Sequence, residues 1–540
     1  MNTYDDIKLP PNPARIMEGL RDTGYDFNTA VADIIDNSIA AGAGLVNVDI
    51  SQDPMGDITI YIADDGCGMT YDELVNAMCY GSSERSDPAS LGKFGLGLKT
   101  ASTAFCRCLS VISRGADNKV NKLQWDIDYI VEKNDWNLRR MDPDSDEIYY
   151  LDQTAGSSNT GTLVVWEHVD RLLQGDNAKN TSEKALLKKT IEQLEFHISM
   201  VYQRFLDNND KRASDVIINL NGKRIRAWDP FCTSEENTRL LYDKDIPIEI
   251  VGREESEYPE LQIKAYLIPR RDEFSTIAAA TAAKVSSDMQ GFYIYRENRL
   301  IYYADWMGMY QKEPHGTLLR VEMSFTHELD DVFHIDIKKS KITPTDSIYV
   351  FIRDNILPPL RREADDRYRK GTRKAVEKGS QGAHDAADRS IDEKAAGIQE
   401  SQIKVVDKKT GAVDITNNSG TFRNHIVIHE SQEDNKQKRI IPVESIDDGL
   451  LWRPCITSDG EHAVEINMSH PFYQKIYSQI IQQNVLVTGL DSLLWVLGEG
   501  ELSTVNERTK EQFEDVRAYV SRGLKKLVAD LPDPEEGLDE

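Results

Sequence analysis

Asp33 and Asn37 stand one helical turn apart in the stretch from Asn28 to Ala41, where Ala30, Ile34 and Ile35 recur at amphipathic-helix spacing. The carboxylate and the amide therefore share a helix face. A carboxylate so placed can orient or deprotonate a water. An amide oxygen one turn on can be a hard ligand for Mg²⁺, which takes few protein ligands and keeps its waters. An exposed polar face ending near Gly42 accounts for the same pair without any chemistry. A second cluster, Asp64-Asp65-Gly66-Cys67-Gly68-Met69, follows the apolar run Ile58–Ala63, which reads as a strand. Glycines there let backbone approach a flat ligand, and a buried carboxylate can accept a hydrogen bond from an exocyclic amino group. An ordinary Asp-Gly turn is the plain alternative. The third segment, Gly92-Lys93-Phe94-Gly95-Leu96-Gly97-Leu98-Lys99-Thr100, opens an expected helix from Leu96 to Phe105. Its glycines and a helix N-terminus suit an anion such as phosphate. It is not a P-loop, lacking Gly-x-x-x-x-Gly-Lys-Ser/Thr, and no Gly-x-Gly-x-x-Gly occurs in it.

In this order, a helix bearing Asp-x-x-x-Asn, a strand ending in Asp-x-Gly-x-Gly and a glycine segment before a helix, the chain resembles the ATP site of the GHKL superfamily: gyrase-type topoisomerases, heat-shock chaperones, histidine kinases, MutL and MORC proteins. The resemblance covers about residues 10 to 345 and is nearest to MORC-like and MutL-like members. It implies an ATPase that uses ATP and Mg²⁺. Asp33 would be the water-activating residue, Asn37 the metal ligand and Asp65 the adenine reader. Gly66, Gly68 and Met69 would shape the base pocket. Ser82 and Ser83 would open a lid after Gly81, and Gly92, Lys93, Phe94, Gly95, Leu96, Gly97, Leu98, Lys99 and Thr100 would lie by the phosphates. Thr162, at the head of the apolar run Gly161–Trp166, would help hold the adenine-binding Asp. One departure stands out: these relatives carry Glu where this chain has Asp33, a side chain one methylene shorter, so turnover is expected to be slow or partner-dependent. Asp36, one residue before Asn37, points to another face of the helix.

Elements that would position these residues follow from patterning. Residues 1–175 are read as the ATP-binding domain, and an amphipathic helix is expected from about 180 to 206. A second region, 176–357, contains a hairpin signal at Val216–Leu220, Asn221-Gly222 and Lys223–Ile225, and a strand-turn-strand at Gly291–Ile301. It resembles the transducer domain that follows the ATPase in MutL and MORC proteins, which supplies a lysine to the terminal phosphate. Among Lys338, Lys339 and Lys341 the reading favours Lys339; a solvated basic loop is the alternative. Residues 358–402 are read as a basic helix and linker, with Arg361, Arg362, Arg367, Arg369, Lys370, Arg373 and Lys374 as candidate contacts to DNA phosphates or simply a solvated face. Residues 403–531 are read as a C-terminal α/β domain and 532–540 as an acidic tail. The fold class expected is α/β (α+β): a Bergerat-type sandwich, a transducer with a ribosomal-protein-like α/β fold, and the C-terminal α/β domain.

At 540 residues the chain exceeds one core. Its net charge of −27 argues against a general DNA coat protein and confines any DNA contact to local basic patches. The six cysteines form no Cys-x-x-Cys pair, as suits a reducing compartment. The longest apolar run, Val485 to Leu497, is broken by Asp491, and the N-terminus has no signal-peptide core, so a soluble cytoplasmic protein without membrane contact is expected. By resemblance the chain would be a clamp that homodimerises on ATP and works in DNA transactions, with protein partners of a repair, restriction or phage-defence system. The rivals are a chaperone-like ATPase acting on protein clients and a nucleotide-gated scaffold without turnover.

Overall fold

The computed structural model describes residues 12–22, 24–81, 89–91, 97–173, 183–250, 252–334, 342–380, 382–408, 410–418, 420–429, 438–457, 459–480, 483–529 and 531; at 255, 371–380, 429, 478, 484 and 507 it describes the backbone alone. Two compact units divide the chain, residues 1–362 and 363–540.

The first unit opens with helices α1 (Pro13–Arg21) and α2 (Phe27–Ala40) and strands β1 (Leu45–Gln52) and β2 (Ile58–Asp64). There follow α3 (Tyr71–Met78), α4 (Gly97–Phe105), β3 (Cys106–Arg114), β4 (Val120–Asp126), α5 (Ile127–Lys133), β5 (Arg139–Met141), α6 (Ser145–Ala155), β6 (Gly161–Val169), α7 (Glu183–Val201), β7 (Ile217–Leu220) and β8 (Lys223–Arg224). The described strands form one mixed sheet in the order β5-β4-β3-β6-β2-β1-β7-β8, with β1 and β7 parallel.

Strand parity decides what each face carries. Ile58, Ile60 and Ile62 of β2 and Trp166 of β6 point into a core shared with Ala30, Val31, Ile34 and Ile35 of α2 and Ala101 and Ala104 of α4. Ala63, Leu163 and Val165 face the other way and are covered by Leu151 and Ala155 of α6. Tyr61 stacks on Tyr150 there at 4.2 Å between ring centroids. Asp26 caps α2 by accepting from the Thr29 amide at 3.2 Å.

The Asn221-Gly222 hairpin forms as expected, both residues at positive φ. It was expected within the second region; instead it extends the first sheet beside β1. The first unit continues with a five-stranded sheet in the order β12-β11-β13-β10-β9, built from β9 (Arg239–Pro247), β10 (Glu260–Leu267), β11 (Gly291–Arg296), β12 (Arg299–Asp305) and β13 (Leu319–Phe325).

A long helix, Leu357–Ser380, carries the basic run. In the second unit an antiparallel sheet (Gln402–Asp407, Ala412–Asn417, Gly420–His425) and a mixed four-stranded sheet accompany helices Asp385–Ile398, Asn484–Leu502 and Glu507–Leu527. Its core gathers Trp452, Tyr473, Tyr477 and Trp495. The whole is mixed α/β. Among the described residues no helix is long and apolar enough to cross a membrane.

Candidate functional site

Asp33 lies on the α2 face nearest α4. Its Oδ2 accepts from the Tyr25 hydroxyl at 3.2 Å. A Cβ on Gly97, the first residue of α4, would sit 3.4 Å from that same oxygen, so the carboxylate abuts the helix start that favours anions. Asn37 donates from Nδ2 to the Asp33 carbonyl at 2.9 Å; an amide oxygen is the kind of ligand a hard cation takes. Asp36 turns away, as expected, and is wholly buried.

The second cluster departs from expectation. Asp65 Oδ1 accepts from the backbone amides of Gly44 and Leu45, each at 2.8 Å. Those two bonds tie Asp65, the residue expected to read adenine, to the turn after α2. Asp64 is the residue in the inward position, 6% exposed. Its Oδ2 accepts from Ser38 Oγ at 2.8 Å and its Oδ1 from the Gly66 amide at 3.0 Å. Burial pushes its carboxyl up to about 6, against the pull of Ser38 and the backbone of Gly66 and Thr162. The signal was present in the sequence: Ile58, Ile60, Ile62 and Asp64 share one parity, and Asp64 is the first residue of Asp-x-Gly-x-Gly.

Glycines around Asp64 are forced by close backbone approach. A Cβ on Gly66 would lie 2.8 Å from Ala41 Cβ, and one on Gly161 would lie 2.5 Å from the Asp64 carbonyl oxygen. Thr162 Oγ1 and Ser113 Oγ lie 2.9 Å apart, and Ser113 Oγ accepts from the Met69 amide at 2.8 Å. A buried carboxylate walled by backbone is suited to a flat heterocycle with an exocyclic amine.

Residues 25–162 match the model of the histidine kinase-, DNA gyrase B- and HSP90-like ATPases. Over this segment the chain is similar to GHKL-type ATPase domains. A further similarity is to Protein MICRORCHIDIA 6 of Arabidopsis thaliana, 33% identical over 94 residues; that stretch is 17% of this chain and only 14% of the plant protein. A solved structure described as the N-terminal domain of a DNA repair protein aligns over 66% of this chain and 97% of its own, at 16% identity and a TM-score of 0.38, a likeness too slight to argue from.

Within the matched segment, Leu98 and Thr100 lie on α4, Thr100 buried. Lys99, expected by the phosphates, has its ammonium on α3. It is 1% exposed and its ammonium donates to the Ala77 carbonyl at 2.8 Å, near the C-terminus of α3, where a cation is favoured. Ser82, Ser83, Gly92, Lys93, Phe94, Gly95 and Leu96 lie outside the described residues, as do Lys338, Lys339 and Lys341. Among the described residues no group of three or more His, Cys, Asp or Glu side chains is arranged to hold a metal; an ion bound through one amide and its own waters needs none.

On the Leu357–Ser380 helix, Arg361 is occupied: its guanidinium lies 3.8 Å from the Tyr310 ring centroid and donates to Glu313 at 3.3 Å. Arg369 pairs with Asp365 at 2.8 Å on the solvent side. Arg362, Arg369 and Lys370 are exposed, and Arg367 is half-buried.

Proposed function

We propose that the chain is a Mg²⁺-dependent ATPase working as a nucleotide-gated dimeric clamp in DNA transactions. The observation that carries the nucleotide reading is Asp64, a buried carboxylate held by Ser38 and Gly66 on the strand adjoining the helix of Asp33 and Asn37. Asp64 accepts from the adenine amino group, with Gly66, Gly68 and Met69 shaping the wall. Asp33 orients and deprotonates the attacking water at the N-terminus of α4, and Tyr25 holds its carboxylate. Asn37 would hold the Mg²⁺ ion through its amide oxygen; the ion, when bound, neutralises phosphate charge.

The test is ATP turnover of the full chain against Asp33→Asn, with nucleotide binding measured in both. Wild type is expected to turn over, while the variant binds and loses at least about 100-fold in kcat, the scale of a lost general base. Equal binding with no turnover in either protein would instead favour the nucleotide-gated scaffold.

A role on DNA is supported by the exposed basic residues of the long helix, since the net charge of −27 leaves only such patches for phosphate contact. Replacing Arg362, Arg369 and Lys370 together by Glu is expected to abolish DNA stimulation of turnover and leave basal turnover intact. Unchanged stimulation would remove the DNA reading of this helix.

A further inference from the structure

The four residues Arg296-Glu297-Asn298-Arg299, from the end of β11 to the start of β12, take no part in the site as described. Glu297 and Asn298 have φ of +47° and +69°, a left-handed pair that makes a tight hairpin turn. The turn is held from behind. Asn298 Oδ1 accepts from Arg204 at 3.0 Å, and its Nδ2 donates to the Arg212 carbonyl at 2.7 Å. Glu297 accepts from the His327 amide at 2.9 Å.

The two arginines reach into the ATPase domain. Arg299 Nε donates to Asp36 Oδ1 at 2.9 Å, and the Tyr202 hydroxyl donates to the same oxygen at 2.8 Å. Arg296 grips Asp330 through Nε and Nη2 at 2.7 and 2.8 Å, and its Nη1 donates to the Ser90 carbonyl at 3.4 Å. Asp36, Arg296, Arg299 and Asp330 are all buried. Asp36 sits on the same helical turn as Asp33 and Asn37, and Ser90 just ahead of the glycine segment in sequence.

A buried ion pair contributes little net stability over a packed apolar pair. The planar guanidinium fork does fix direction. A shift of about an ångström in α2 passes to Asp33, where reaction geometry is exacting. We propose that Arg299 is a positioning residue of the nucleotide site, through which the β11–β12 hairpin sets the turn of α2 that carries Asp33 and Asn37. The proposal rests on the ATPase reading above.

Arg299→Gln alone removes the cation that faces the buried Asp36 carboxylate, and the variant can fail to fold. The informative variant is therefore the full-length double change Arg299→Gln with Asp36→Asn, neutral on both sides, beside Arg299→Lys. The double variant is expected to melt near wild type, to bind ADP within about threefold of it, and to lose about tenfold or more in kcat, with partial recovery in Arg299→Lys. A folded double variant with wild-type kcat overturns the proposal. The second readout is amide exchange of residues 291–305 with and without a non-hydrolysable ATP analogue. Slower exchange on binding is expected in wild type and not in the double variant; a hairpin indifferent to nucleotide in wild type overturns the proposal even if the protein never turns over. A wild type that binds no nucleotide would instead defeat the ATPase reading itself.

Discussion

Asp64→Asn is expected to abolish adenine-nucleotide binding and at the same time to raise the melting temperature of the ligand-free protein. The binding loss follows from donor–acceptor matching. The carboxylate offers only acceptors, whereas an asparagine amide directs an N–H at the amino group it should receive. One mismatched, desolvated polar contact in place of a charge-assisted bond is expected to cost at least about 100-fold in affinity.

The stability gain follows from burial. In the folded protein the Asp64 carboxyl titrates near 6, against 3.8 ordinarily. Between pH 4 and 6 the folded state keeps a proton that the unfolded chain has released, so stability falls as pH rises through that window and the loss is complete above it. At pH 8 the ionised form costs on the order of 2–3 kcal/mol. Asparagine removes that cost and can keep the Ser38 and Gly66 hydrogen bonds. Asp65→Asn should leave binding unchanged, because its oxygen can still accept from Gly44 and Leu45. Titration calorimetry and thermal melts of both variants at pH 8 decide it: an Asp64→Asn protein that still binds ATP tightly returns the adenine role to Asp65.

Gly68→Ala is expected to cost at least about 3 kcal/mol, or to prevent folding altogether. Gly68 has φ of +61°, and a Cβ there would sit 2.0 Å from the Arg114 carbonyl oxygen. That oxygen belongs to β3, paired with β4 and β6, so it cannot step aside without breaking a ladder. Gly42→Ala makes the comparison: φ is +75° and no atom lies within 4 Å, so only the left-handed backbone is penalised, at about 1–2 kcal/mol. Denaturant melts of the two variants separate strain from collision. Equal losses would mean that the close approach to β3 contributes nothing.

Much of the segment from α2 to β6 was legible in the chain. The 3.6-residue period named α2 and put Asp33 and Asn37 on one face, and the same period correctly turned Asp36 away. Apolar runs named β2 and β6, and Asn-Gly named the β7–β8 hairpin, because each of these signals is local: a few residues determine the backbone geometry that produces them. The inward place of Asp64 follows from a parity that was itself in the sequence. The side chain two after Ile62 faces inward, and the next one cannot.

Other features had no local signal. Lys99 stands beside glycines, where a phosphate contact looks natural, yet its ammonium meets the Ala77 carbonyl because α3 packs close by. Arg361 looks like one more member of a basic run until Tyr310 and Glu313 are brought under it. The β7–β8 hairpin is readable as a hairpin, but not the sheet it joins, since pairing with β1 spans more than 150 residues of chain. Arg299 and Asp36 are 263 positions apart. The sequence alone therefore determined which residues could do chemistry and the local elements that carry them. Only the tertiary structure decided which charges meet, because burial and long-range pairing depend on surfaces that no local pattern encodes.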